Sequence, residues 1–192
     1  MKEALPNIEV LLASKSPRRK ALLEDIGLQF KLVTIELEEY LDQSLTVEEL
    51  AKDLARKKAQ AYTGEIKENQ VLLTADTLVS VDGELLGKPS GESEAFSMLA
   101  KLSGKVHKVT TAVCLKNAEK EKLFEVSSLV TFKDLSPELI NYYIQKFKPF
   151  DKAGAYGIQE WIGMVGISNV DGDYYNVVGL PVSKVFDELS NW

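Results

Sequence analysis

Apolar positions along the chain change period several times, and each change marks an element. The continuous run Ile8 to Ala13 fits a strand covered on both faces, read here as Glu9 to Ser14. It stops at a hydroxyl-bearing turn, and from Pro17 to Ile26 the period becomes helical, with Ala21, Leu22, Leu23 and Ile26 on the inner side. Ser16 is a good N-cap, Pro17 suits the first helical position, and Gly27 closes the helix. Gln29 to Ile35 reads as a second strand. Thr46-Val47-Glu48-Glu49 is a capping box that opens a helix with Val47, Leu50, Ala51, Leu54, Ala55, Lys58 and Ala61 at helical spacing. Gln70 to Ala75 and Thr77 to Val81 form an apolar strand run broken near Asp76, followed by the two-residue hairpin turn Asp82-Gly83. Ser93 to Leu102 is a further helix, closed by Gly104.

The second half is richer in long strand patterns. Lys105 to Lys116 and Lys122 to Lys133 flank the polar turn Asn117–Glu121. Ser136-Pro137-Glu138 repeats the Ser-Pro helix start for Leu139 to Phe147. Met164 to Val170 and Tyr174 to Val178 read as strands around a hairpin turn at Asp171-Gly172-Asp173, and Pro181 to Ser190 as a closing helix. There is no internal repeat, low-complexity tract or linker. The pattern predicts one α/β domain over 1–192, with a mixed sheet flanked by helices; two lobes around a cleft is one arrangement of it.

Composition narrows the function classes. The 192 residues carry a net charge of −6, a poor balance for general binding of nucleic acid or anionic membrane. A local cluster of basic residues therefore stands out. Cys114 is the single cysteine, so no intramolecular disulfide can form, in keeping with a reducing cytosol. No apolar stretch approaches the roughly 20 residues of a membrane span, and the N-terminus lacks the shape of a secretory signal. A soluble, cytoplasmic protein is expected.

Several segments carry candidate chemistry. At the start of the first helix, Ser14, Ser16, Arg18 and Arg19 crowd one end, where free backbone N–H groups favour anions and guanidinium forks match phosphate oxygens. This reads as a polyphosphate cradle; a well-capped surface helix with two solvated arginines accounts for the same residues. Asp76 is a carboxylate inside an apolar run, costly unless paired or bound to a metal, although ending a strand would also explain it. Magnesium needs only one or two protein carboxylates when a nucleotide supplies phosphate oxygens. The run Glu36, Glu38, Glu39 is either a solvated face or the source of a second carboxylate. Lys58 either snorkels from a semi-apolar face or clamps a phosphate. Gly83 to Pro89 is not a phosphate-binding P-loop, because its glycines are one residue too close and Pro89 stands where Ser or Thr belongs; Lys88 alone reads as a turn lysine. Asp151 to Gln159 offers close backbone approach at Gly154 and Gly157 and an amide at Gln159; a bulged strand and turn is the plainer reading. His107, the single histidine, falls in an alternating strand, where a cross-strand surface role is expected rather than catalysis.

Taken in order, Ser14-Lys15-Ser16-Pro17-Arg18-Arg19, Ala75-Asp76-Thr77, Gly87-Lys88-Pro89, Asp151-Lys152-Ala153-Gly154-Ala155-Tyr156-Gly157-Ile158-Gln159 and Gly179-Leu180-Pro181 closely resemble the Maf family of nucleoside triphosphate pyrophosphatases. The resemblance runs from Leu11 to Ser190 and implies an α/β fold with a deep cleft, similar to the inosine triphosphate pyrophosphatases. It implies hydrolysis between the α- and β-phosphates with a divalent cation, Mg²⁺ or alternatively Mn²⁺. By the same resemblance Asp76 is the proton acceptor, and Ser14, Arg18, Arg19, Lys58 and Lys88 hold phosphates. Asp76 and Glu39 bind metal, the acidic position being open to a shift toward Glu36 or Glu38. The segment at 151–159 resembles the dTTP/UTP branch, in which residues matching Arg18, Thr77 and Gln159 tune base choice. A Gln amide can accept from the N3–H of uracil or thymine and donate to a ring carbonyl. Phe147-Lys148-Pro149-Phe150 departs from the family's usual Gly-Glu-Pro. A homodimer is implied, modified pyrimidine nucleotides are further candidate substrates, and a nucleotide-binding regulator of septum formation is the alternative function. RNA binding through Arg18 and Arg19 is disfavoured by the net charge.

Overall fold

The computed structural model describes residues 8–37, 40–42 and 44–192. Seven strands form one mixed sheet in the order β2-β1-β3-β5-β6-β7, with β4 on β3. They are β1 (Glu9–Leu12), β2 (Phe30–Leu32), β3 (Gln70–Val81), β4 (Glu84–Leu86), β5 (Val106–Lys116), β6 (Glu121–Phe132) and β7 (Ile167–Asp171). The helices are α1 (Pro17–Asp25), α2 (Val47–Gln60), α3 (Glu92–Leu102), α4 (Pro137–Phe147), α5 (Trp161–Gly166), α6 (Tyr174–Val178) and α7 (Val182–Ser190). None of the described helices is long and apolar enough to cross a membrane. The expected α/β class with a mixed sheet is thus what the chain adopts.

The chain divides into two compact units: residues 1–76, 111–126 and 179–192, and residues 77–110 and 127–178. In the first, β1 pairs in parallel with both β2 and β3, in the registers Val10↔Phe30 and Val10↔Val71. Val10, Leu11 and Leu12 are all buried although successive side chains point to opposite faces, so both faces of β1 are covered, which explains its continuous apolar run. Leu12, Leu23, Leu50, Leu54, Leu72 and Leu73 are among the largest fully buried side chains here. In the second unit Asp82 (φ 52°) and Gly83 (φ 81°) turn β3 into β4 as the sequence predicts. The two consecutive positive φ angles are those of a type I′ turn, whose twist suits a hairpin. Leu99, Leu102, Phe132, Ile140 and Tyr143 are fully buried in this unit.

Caps fix the helix starts. Ser16 Oγ accepts from Arg19 N at 3.5 Å and Ser136 Oγ from Leu139 N at 3.3 Å. Thr46 and Glu49 close the capping box at α2, with Glu49 Oε2 2.9 Å from Thr46 N.

Three expectations change. Strand β3 is unbroken through Asp76, because a lysine partner offsets the cost of the carboxylate. The second strand is confined to Phe30–Leu32. Around Asp171-Gly172-Asp173 there is no hairpin: β7 pairs antiparallel with β6, and residues 174–178 are helical. Asp173 Oδ1 accepts from Tyr175 N at 2.7 Å and Asn176 N at 3.2 Å, and this side-chain capping redirects the backbone into a helix.

Candidate active site

The first unit holds Ser14, Ser16, Arg18, Arg19, Lys58 and Asp76. The turn at 14–16 leads from β1 into α1, and its hydroxyls are already engaged. Ser14 Oγ accepts from Ser16 N at 3.2 Å and from Arg19 Nη1 at 3.4 Å. The Arg19 guanidinium also donates from Nη1 to the Ala75 carbonyl at 2.9 Å and from Nε to the Gly179 carbonyl at 2.8 Å. One side chain on α1 thereby fixes the backbone immediately before Asp76 and the Gly179-Leu180-Pro181 segment. Carbonyl oxygens carry partial negative charge and suit the N–H fork of a guanidinium. Arg18 is half-buried beside it on α1.

Asp76 projects from β3 and forms an ion pair with Lys58 of α2. Both side chains keep 14% of their exposure, so the pair is largely desolvated yet reachable. Thr74 Oγ1 donates to the Ala55 carbonyl at 2.7 Å, which locks β3 against the turn of α2 that precedes Lys58. The carboxylate is thus held by its own ion pair and by the anchoring of the two residues before it, Thr74 to Ala55 and Ala75 to Arg19. A desolvated charge with one cationic partner can orient a water or accept a hard cation. Among the described residues no cluster of three or more His, Cys, Asp and Glu could hold a metal ion. Asp76 offers a carboxylate, and Mg²⁺ needs only one or two from the protein when phosphate oxygens complete the shell. Glu38 and Glu39 lie outside the described residues, and Glu36 is exposed.

The second unit contributes a shaped loop. Residues 151–160 fold around a 3-10 turn at Ala153–Ala155, in which Gly154 (φ 70°) and Ala155 (φ 60°) are both left-handed. A β-carbon at Gly154 would also meet Val79 Cγ1 at 3.0 Å, so glycine is required there for space as well as for φ. Ala155 pays a steric cost of about 1–2 kcal/mol for its left-handed φ, and its burial holds it there. Gly154 N donates to the Gly87 carbonyl at 3.0 Å, which attaches the Gly87-Lys88-Pro89 turn to this loop. Lys88 is exposed on that turn, and Gln159 is exposed on the loop. Thr77 follows Asp76 in β3 and is half-buried.

A set of polar contacts behind the loop escapes sequence reasoning. Lys152, only 8% exposed, pairs with Glu160 Oε1 at 3.0 Å and Asp151 Oδ1 at 2.7 Å. The other Glu160 oxygen accepts from the Tyr143 hydroxyl, whose oxygen in turn accepts from Gly157 N at 3.1 Å. Burial, with the Glu160 carboxylate beside it, pushes the Tyr143 phenol up, so it stays protonated as the donor. His107 corrects the surface role expected of it: the ring is 2% exposed, its Nε2 lies 2.7 Å from the Tyr156 hydroxyl, and it stacks on Phe132 at 5.4 Å between centroids. Burial lowers its pKa to about 4. From Val106 to Val109 burial does alternate, and His107 falls in phase with Val109 on the covered face, not with the exposed Val106; beyond it, Val109 to Leu115 are buried on both faces. Cys114 lies in that stretch, and burial pushes its thiol up to about 12, which removes it as a nucleophile.

Comparison with known proteins places this geometry in a family. The family model described as Maf-like protein matches residues 9–192. A dTTP/UTP pyrophosphatase of Flavobacterium psychrophilum is 45% identical over 191 residues, covering 100% of this chain and 98% of that protein. A dTTP/UTP pyrophosphatase of Phocaeicola vulgatus is 45% identical, covering 98% of each chain. One from Porphyromonas gingivalis is 44% identical, covering 100% of this chain and 98% of its own length.

Proposed function

The chain belongs to the Maf family, and from that premise we propose that it hydrolyses dTTP and UTP to the monophosphate and pyrophosphate. The observation that carries the reading is the Lys58–Asp76 ion pair, a largely desolvated ammonium and carboxylate on adjoining elements, braced through Arg19 and Thr74. Full-length relatives named dTTP/UTP pyrophosphatase support the substrate class.

In this mechanism Asp76 orients a water and takes its proton as the water attacks the α-phosphorus, with pyrophosphate leaving. Lys58 holds the carboxylate in line and shares its ammonium with a phosphate oxygen. Arg18, with the hydroxyls of Ser14 and Ser16, receives phosphate oxygens at the start of α1, where the helix N-terminus favours anions. Arg19 already spends Nε and Nη1 on backbone carbonyls, so it first holds the cradle's shape. Lys88 neutralises charge on the departing pyrophosphate. Asp76, with Glu39 assigned by resemblance, would hold a divalent cation, Mg²⁺ or Mn²⁺, which supplies Lewis-acid stabilisation of the phosphate charge. Thr77, Gln159 and Arg18 set base choice, as the family resemblance implies.

The same proposal treats residues 1–192 as one functional domain, a homodimer of the cytoplasm; the family match across both units and the single buried Cys114 support it. Purified protein incubated with Mg²⁺ and a panel of nucleoside triphosphates tests the reading. Pyrophosphate with dTMP and UMP is the expected outcome. Release of orthophosphate and a diphosphate contradicts it, and binding without any product favours a nucleotide-binding regulator instead.

A further inference from the structure

Gln159 stands on the loop surface, and an exposed amide discriminates between bases only if its backbone is fixed. The residues on either side of it are both tied to one buried phenol. Tyr143, fully buried on α4, accepts the Gly157 N–H at 3.1 Å and donates to Glu160. Lys152 Nζ holds the other Glu160 oxygen at 3.0 Å. Gly157 adds a steric condition. A β-carbon there would lie 2.9 Å from Glu160 Cδ and 3.1 Å from Gln159 Nε2, so the amide rests over the bare backbone. The φ of Gly157 is not left-handed, and space is the reason for glycine at this position.

We propose that Tyr143 is a positioning residue for pyrimidine specificity: its hydroxyl clamps Gly157 and Glu160, and so sets the angle at which the Gln159 amide meets a uracil or thymine edge. The inference rests on the reading of Gln159 as a base-choosing residue. Uracil presents N3–H and a ring carbonyl to the amide, whereas cytosine presents a bare N3 and an amino group. An amide turned over would match cytosine instead, so selectivity requires the loop to hold it in the orientation that meets uracil, and a loosened loop lowers turnover of UTP relative to that of CTP.

The test measures kcat/KM for UTP and CTP in the full-length protein and its Tyr143→Phe, Gln159→Ala and doubly substituted variants. The ratio of the two values is insensitive to how much protein is folded, so a merely structural role leaves it unchanged. The proposal expects Tyr143→Phe to lower the UTP/CTP ratio by about tenfold, the scale of one well-aligned hydrogen bond. It expects Gln159→Ala to lower it at least as far and the double variant to go no further, since the two act as one unit. A ratio lowered by Gln159→Ala but untouched by Tyr143→Phe overturns the proposal and leaves the base reading standing. Additive losses in the double variant also overturn it. A wild-type ratio in Gln159→Ala overturns the base reading, and the role of Tyr143 falls with it. Should Tyr143→Phe fail to fold, Glu160→Ala decides: it removes the carboxylate through which the phenol holds the loop, and a wild-type ratio in it contradicts the proposal.

Discussion

The turn at 14–19 and the loop at 151–160 both present polar groups on tightly curved backbone, yet they are held by different means. At the turn, a guanidinium reaches backbone carbonyls of Ala75 and Gly179, and a neighbouring lysine pairs with Asp76. At the loop, a buried phenol, a carboxylate and a lysine form a closed side-chain network, with two left-handed residues between its anchors. The first arrangement concentrates charge next to a reachable acid. The second has its charges compensated behind the loop and leaves an amide in front. Charge placement suits a part that must respond to a triphosphate; an internally satisfied network suits a part that must keep its shape. Rate and selectivity should therefore come apart when each region is altered.

The strongest break comes at the acid. Asp76→Asn keeps the size of the side chain and removes the base, and turnover of UTP is expected to fall about 10³-fold without a change in the UTP/CTP ratio. Lys58→Ala should cost about 10²-fold, again in rate and not in ratio, measured by pyrophosphate release. A ratio that collapses along with the rate in either variant would erase the distinction between the two regions.

The loop region carries its own pH signature. The folded pKa of His107 is lowered from 6.5 to about 4 by burial, so the folded state favours the neutral ring. Between those values the unfolded chain takes up a proton that the folded chain does not, and stability falls as pH falls through that window. The loss attributable to His107 is about 3 kcal/mol. Urea unfolding across the window, with His107→Phe as the reference, reads it; equal pH dependence in the two proteins contradicts the assignment. The smallest effect sharpens the comparison from outside both regions. Thr46→Ala removes the α2 cap and is expected to lower Tm by about 3 °C. Activity at a temperature well below Tm should not move, because the cap lies at the opposite end of α2 from Lys58.

The two regions were also unequally legible in the sequence. Ser14 to Arg19 is a local signal, since cap, proline and arginines fall within one turn of the helix they open. The sequence could not say where Arg19 reaches, because its carbonyl partners lie 56 and 160 residues away. Asp76 was conspicuous as a charge in an apolar run, but the same reasoning broke the strand there; Lys58, found on α2 by its helical spacing, is what keeps it whole. In the loop the glycines announced curvature. Tyr143, Lys152 and Glu160 gave no signal, since a tyrosine on an apolar helix face reads as core, and flanking charges read as solvated. His107 misled for a different reason: alternation gives a period but not which phase is covered, and His107 shares the buried face with Val109 while Val106 on the other face is exposed. The helix at 174–178 was masked by Asp171-Gly172-Asp173, which matches a hairpin turn in composition, whereas Asp173 acts as a helix cap.

The most direct test of the central claim is hydrolysis of UTP by the wild-type protein in heavy-oxygen water, with both products analysed by mass. Attack on the α-phosphorus by a water held at Asp76 places the label in UMP and leaves pyrophosphate unlabelled. Label found in pyrophosphate would contradict the account.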